Sequence, residues 1–100
     1  MSNPTTMTPP TLSPEVVAFC NEKGILPILH NVIRLMQEAF PGSKMEIVLE
    51  HFPDDPSPCV LVDTYVEGAW EDAFEKHLEV LKRWGQGETS PFIRPLYWMV

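Results

Sequence analysis

The stretch from Glu50 to Asp63, EHFPDDPSPCVLVD, concentrates side chains that could bind a metal ion. The candidate ligands are His51, Asp54, Asp55 and Cys59. Zinc sites use repeated Cys/His spacings, and calcium loops alternate oxygen ligands around a glycine. Neither pattern is present, whereas proline and aspartate together are typical of turns, because proline fixes φ and aspartate bonds to nearby backbone. We therefore predict a turn between two strands and no metal site.

One histidine and two cysteines are the remaining catalytic candidates. His77 falls on the apolar side of a predicted helix, and a general base there would need an orienting carboxylate and a reachable nucleophile. Cys20 and Cys59 have no electropositive surroundings that would activate a thiol, and free cysteines are commonly buried. No glycine-rich phosphate loop joins a strand to a helix. We predict packing roles for all three residues, no catalytic residue and no cofactor.

The composition indicates a single folded domain. The chain has 100 residues, of which 44% are hydrophobic, and this is enough for one core. Its formal charge of −7, from 14 acidic and 7 basic residues, disfavours contact with a phosphate backbone. The start of the chain does not read as a signal peptide, and no apolar run reaches the roughly 18–20 residues of a membrane span. We expect a cytoplasmic protein with reduced cysteines that binds neither nucleic acid nor membrane.

Three helices are predicted from their end signals and apolar periodicity. Ser13 and Pro14 begin the first, and Gly24 ends it, because these residue types suit the N-cap, the first turn and the C-terminal stop. The second runs from about Pro27 to Phe40, and the third from about Ala69 to Trp84. The predicted core-facing residues of the second are Ile25, Ile28, Leu29, Val32, Ile33, Met36 and Phe40. Those of the third are Trp70, Ala73, Phe74, His77, Leu78, Leu81 and Trp84.

Alternating apolar residues predict strands in KMEIVLEHF, CVLVDTYVEG and PFIRPLYWMV. Pairing the first two antiparallel, with both apolar sets toward the helices, allows a register with Leu49 opposite Val60. That register places Glu46 opposite Asp63 on the outer side, where like charges are unfavourable. Such a pair calls for a cation, a neighbouring arginine or water. Pro95 lacks an amide donor and should confine the last strand to an edge or a bulge.

These elements predict an α+β fold in the order α-α-β-β-α-β. The sheet should have three strands, be mostly antiparallel, and carry the helices on one face. Residues 1–12 are predicted to be a disordered tail, and residues 13–100 the domain. The order of the strands stays open.

The other face of the sheet is the predicted interface. Bare apolar and aromatic surface of this extent is typical of protein contacts. Alternation leaves two sets open for the last strand, Phe92, Leu96 and Trp98 or Ile93, Tyr97 and Met99. The first helix or the N-terminal arm could instead cover this face. The predicted interface residues are Val48, Leu61, Tyr65, Leu96, Tyr97 and Trp98.

The segments LSPEVVAF, NVIRLMQEAFPGSKMEIVLE and VLVDTYVEG, with a tryptophan-bearing helix and an aromatic last strand, resemble a family of short uncharacterised bacterial proteins. The resemblance implies the fold and a bacterial origin, and it suggests association with toxin-like partners. It carries no catalytic residue.

The leading functional hypothesis is a non-catalytic interaction module, antitoxin-like or an accessory subunit. It would bind a partner protein, or itself as a homodimer, through the outer face and the last strand. One alternative is a small enzyme or a metal- or ligand-binding domain that uses His77 or the pair Glu46 and Asp63. Another is an acidic decoy that occupies a nucleic-acid-binding protein.

Overall fold

The predicted order of elements is confirmed in the structure, a computed structural model that describes residues 11–54 and 56–100. The elements are α1 (Pro14–Lys23), α2 (Leu26–Ala39), β1 (Lys44–Glu50), β2 (Cys59–Val66), α3 (Trp70–Gly85) and β3 (Ile93–Met99). The fold is therefore α+β. Residues 1–10 of the predicted tail lie outside the described part of the chain, whereas Leu12 packs against the core.

The ends of α1 follow from the predicted signals. The Ser13 hydroxyl accepts a hydrogen bond from the Val16 amide at 3.3 Å, which satisfies one of the free donors of the first turn. Gly24 ends the helix with φ of 70°, in the left-handed region that favours glycine. This sharp stop lets α2 begin two residues later and pack against α1.

The sheet has the order β1-β2-β3, with β2 in the centre. β1 and β2 pair antiparallel with Leu49 opposite Val60 and Glu46 opposite Asp63, so the structure has the register that was considered among those allowed by alternation. β2 and β3 are parallel, and the sheet is accordingly mixed. Parallel neighbours need a long crossover connection, and α3 supplies it.

The core lies between the helices and one face of the sheet. The fully buried side chains of α2 are Leu29, Val32 and Met36, and they meet Val60 and Val62 of β2. Alternation puts every second β2 side chain into this layer. All three helices pack on this side and leave the opposite face of the sheet without a helix among the described residues.

The burial of α3 differs from the prediction. Ala73 and Val80 are buried, with His77 and Trp84 half-buried beside them. Four residues that were predicted to face the core are exposed instead: Trp70, Phe74, Leu78 and Leu81. The reason is geometric, since α3 packs on α2 and on the edge strand β3, and an edge covers only a narrow strip of a helix.

Each of the three helices of the described region is too short or too polar to cross a membrane.

Candidate functional site

The candidate site is the uncovered side of the sheet, which we call the outer face. Its apolar residues are Val48 of β1, Leu61 of β2, and Leu96 and Trp98 of β3. Trp98 is 50% exposed and Val48 37% exposed, while both leucines are half-buried. The alternation of side chains along a strand determines this set. Leu96 and Trp98 point to the same side of β3, and Trp98 lies opposite Tyr65 of β2, which is also on the outer face.

Two carboxylates lie on opposed positions of the outer face, Glu46 on the edge strand β1 and Asp63 on the central strand β2. The Tyr65 hydroxyl donates to Glu46 Oε1 at 2.8 Å, and the Trp98 indole N–H donates to Asp63 Oδ1 at 3.0 Å. Each member of the like-charged pair thus receives one aromatic donor. The sequence predicted a cation, an arginine or water beside these two carboxylates. Two neutral hydrogen-bond donors, the Tyr65 hydroxyl and the Trp98 indole N–H, lie there instead.

The bond from Tyr65 also changes its acidity. The hydrogen bond to Glu46 is the main reason that the pKa of Tyr65 is raised, and desolvation and the charges of Glu46 and Asp63 raise it further. Ionised, the phenol would lose its donor and lie beside two negative charges. Tyr65 is therefore held as a neutral donor, which suits a positioning role and not that of a base.

Trp98 covers Asp63 from solvent. Asp63 is only 8% exposed although no helix packs over it, and the indole is its one identified side-chain partner among the described residues. The bond joins adjacent strands, because Asp63 belongs to β2 and Trp98 to β3. The aromatic ring is thereby tied across the centre of the outer face.

Charged groups border the apolar centre. Glu46 and Glu50 are exposed on the β1 side, and Arg94 is exposed on the β3 side. The Arg94 guanidinium lies 5.5 Å from the centroid of the Phe52 ring, within range of a cation–π contact. An apolar centre with a charged border is the anatomy of a protein interface.

A groove of about 730 Å³ adjoins one end of the outer face. Glu46 and Tyr65 line it from the sheet, together with Lys44 and Glu67, and the turn after α2 forms its other wall. Most of these residues are exposed, so the groove is open to solvent. Its volume falls in the range of roughly 300–1,000 Å³ of small-molecule pockets.

Tyr97, one of the predicted interface residues, lies on the opposite side from Trp98. It packs against the core, stacked on Phe40 at a centroid distance of 6.2 Å and tilted against His77 at 4.8 Å. Residues 97 and 98 point to opposite faces of one strand, so the six predicted residues cannot share a face. The other five do lie on the outer face.

His77 has a structural contact at the sheet edge. Its Nε2 lies 2.9 Å from the Pro95 carbonyl oxygen, and because a carbonyl only accepts, this nitrogen carries the proton. The Phe92 carbonyl and the Val100 amide form hydrogen bonds with β2. The backbone groups of successive residues in a strand point alternately to its two sides, and Pro95 is an odd number of residues from both. The Pro95 carbonyl therefore points to the open edge of the sheet. Proline offers no donor there, and its carbonyl is already occupied.

Three candidate metal ligands of the opening stretch lie in the described residues, and these three, His51, Asp54 and Cys59, do not form a cluster that could hold a metal ion. No group of three or more His, Cys, Asp and Glu side chains that could hold a metal occurs within residues 11–54 and 56–100. Pro53 and Asp54 form a turn, as predicted, and Asp55 lies outside the described residues. Cys20 and Cys59 are buried free thiols, and burial raises the pKa of the Cys20 thiol.

Two features of the surface were not predicted from the sequence. The contact between Phe52 and Arg94 joins the turn after β1 to β3, which are not sequence neighbours, and no local signal announces it. The exposed residues of α3 were assigned to the core, although the width of the apolar stripe was a signal. The sixteen residues of α3 include seven apolar side chains, which are more than its contact with the edge of the sheet can bury.

Comparison of the chain with protein-family models, curated proteins and solved structures finds no match. The resemblance to short bacterial proteins, with its toxin-associated partners, therefore stays a prediction.

Proposed function

We propose that the protein is a non-catalytic interaction module that binds a partner protein through the outer face. The observation that carries this proposal is an uncovered sheet face with Leu61, Leu96 and Trp98 at its centre and charged side chains around them. Interfaces concentrate aromatic residues in the middle and polar groups at the border. An antitoxin-like or accessory subunit in the cytoplasm is the specific form of this role that we favour.

The charge of the chain suggests the chemistry of the partner. A formal charge of −7 attracts a basic surface over a distance of about 10 Å at moderate salt. Glu46 and Glu50 bring part of this charge to the outer face. A basic partner would therefore associate quickly at low ionic strength. Added salt would lower the association rate constant and change the dissociation rate constant less.

Affinity capture with matched variants tests the proposal. Leu61→Lys replaces an apolar side chain in the middle of the outer face by a charged one, which a docked partner would have to desolvate and which would repel a basic partner. His30→Lys introduces the same side chain on the exposed side of α2. We expect partners from the native host that wild type and His30→Lys retain and Leu61→Lys loses. Equal retention by all three, or loss only with His30→Lys, would reject the outer face.

A second candidate is a small-molecule site in the groove beside Glu46 and Tyr65, because its volume of about 730 Å³ suits a ligand. The charges of Lys44, Glu46 and Glu67 would favour a zwitterionic compound. A screen of amino acids and short peptides by thermal shift tests it. A stabilising compound whose effect disappears in Glu46→Gln would support this function over the first.

A further inference from the structure

The exposed apolar residues of α3 form a second uncovered surface. We call Trp70, Phe74, Leu78 and Leu81 the α3 stripe, because they follow one another at intervals of four, four and three positions along one side of the helix. They are 61%, 46%, 48% and 37% exposed, respectively. They are exposed although α3 already has a buried side, which contains Ala73 and Val80.

The stripe lies on the side of α3 that is turned away from α2. Arg83 and Glu38 join α3 to α2 at 3.3 Å, and with about 3.6 residues per turn Arg83 lies on the far side of the helix from Phe74. His77 reaches over the open edge of β3 to Pro95. The stripe therefore lies beyond the sheet edge, where a second molecule can approach without meeting α2.

Charge along one flank of the stripe selects an orientation. Helical geometry places Glu71, Glu75 and Lys82 on the same flank, acidic near the N-terminus of α3 and basic near its end. In an antiparallel pair of identical helices the same flanks meet, with the ends reversed. If Phe74 packs against Leu78 of the second copy, Glu71 lies beside Lys82 of that copy twice in each dimer, and Glu75 lies near Glu75 of that copy once, at the two-fold axis.

We propose that the α3 stripe is the contact surface of a symmetric homodimer in which two α3 helices pack antiparallel. The two Glu71–Lys82 pairs argue for a second copy as the occupant, because they outnumber the single Glu75–Glu75 repulsion at the axis. A parallel pair would instead bring opposite flanks of the two helices together, so Glu71 and Lys82 would not pair. This surface is distinct from the outer face, so dimerisation and partner binding can succeed or fail independently.

The neighbouring sheet edge does not offer a simpler dimer. Joining two β3 strands into one sheet needs free donors and acceptors along the edge. Pro95 has no donor, and His77 already occupies its carbonyl. The open edge is thus blocked at its middle, which leaves the helix beside it as the contact surface.

The area of the stripe sets the expected strength. Large aromatic side chains present about 150–250 Å² each, so the exposed fractions amount to on the order of 400 Å² per copy. A standard interface buries roughly 800 Å² per partner. The dimer should accordingly be concentration-dependent, with exchange between monomer and dimer.

Sedimentation equilibrium on the whole chain over a range of concentrations tests the proposal. We expect wild type to pass from the 11.4 kDa monomer to twice that mass, and Leu78→Glu to stay monomeric. Lys82→Glu should weaken the dimer by about tenfold, because it replaces two attractive pairs by two repulsive ones. Circular dichroism must show that each variant is folded, as the exposure of both positions predicts.

The matched control is Lys76→Glu, which makes the same change of charge on the flank toward α2. It should leave the dissociation constant unchanged, and the double variant Glu71→Lys with Lys82→Glu should restore dimerisation. A wild type that is monomeric throughout overturns the proposal. So does a dimer that Leu78→Glu leaves intact, or one that both lysine variants weaken equally.

Discussion

The bond between Trp98 and Asp63 predicts a measurable coupling between two strands. Trp98→Phe removes the indole N–H but keeps an aromatic ring, and Asp63→Ala removes the acceptor. A double-mutant cycle with both variants isolates their interaction from the other effects of each change. The quantity to measure is the free energy of unfolding, followed by circular dichroism in urea.

The structure sets the size of this coupling. A hydrogen bond to a charged group contributes about 1.5–3 kcal/mol when both partners are sheltered. Asp63 is 8% exposed, but Trp98 is 50% exposed, so its N–H can bond to water once Asp63 is removed. We therefore expect about 1 kcal/mol, equivalent to a difference of about 4–8 °C in melting temperature for a domain of this size.

A control cycle pairs Trp98→Phe with Glu50→Ala, at the far end of the outer face. Glu50 lies opposite Cys59, whereas Trp98 lies opposite Tyr65, six residues further along β2. Because the two residues are so far apart, their effects on the free energy of unfolding should be additive within about 0.3–0.5 kcal/mol. A coupling between Trp98 and Asp63 no larger than that of the control would refute the argument that this bond holds the ring across the outer face.

Three further predictions concern individual side chains. Thr64→Val should stabilise the fold by about 1 kcal/mol in urea unfolding, because the buried Thr64 hydroxyl has no hydrogen-bond partner in the described region; a loss of stability would contradict this. In a Tyr97→Phe background, the ultraviolet titration of Tyr65 should shift to lower pH on Glu46→Gln. Since its pKa is raised in the folded state, its contribution to stability is complete below the ordinary tyrosine pKa and is lost as pH rises through the raised value; an unchanged titration would refute the Glu46 contribution. Cys20, fully buried with a raised pKa, should react with a thiol reagent far more slowly in the folded than in the unfolded protein, and equal rates by peptide mapping would argue against its burial.

Local patterns predicted the elements and one strand pairing. Ser13 and Gly24 mark the ends of α1 through backbone chemistry that operates within a few residues. Alternation limited the pairing of β1 with β2 to registers that keep both apolar sets on one face, because a slip by one residue would turn a whole set to the wrong face. The observed register, with Ile47 opposite Val62, is one of these. The helix-end signals depend on residues that are close in sequence, and the strand pairing depends on both apolar sets facing the same side of the sheet.

Features that depend on the placement of β3 were beyond the sequence. Alternation divides β3 into two sets, but the choice between Tyr97 and Trp98 as the outward residue requires the position of β3 beside β2. The donor to Asp63 comes from that same pairing. Periodicity likewise showed that α3 is apolar on one side. It could not show that an edge strand would cover only part of that side, the part that contains Ala73.

The central claim is that the outer face contacts the partner, and photocrosslinking maps that contact directly. A photoreactive amino acid replaces Leu61 on the outer face or, as the control, His30 on the exposed side of α2. Both proteins are illuminated with the partner that wild type retains. The account predicts a covalent complex from position 61 and none from position 30. A complex formed only from position 30, or equally from both, would contradict it.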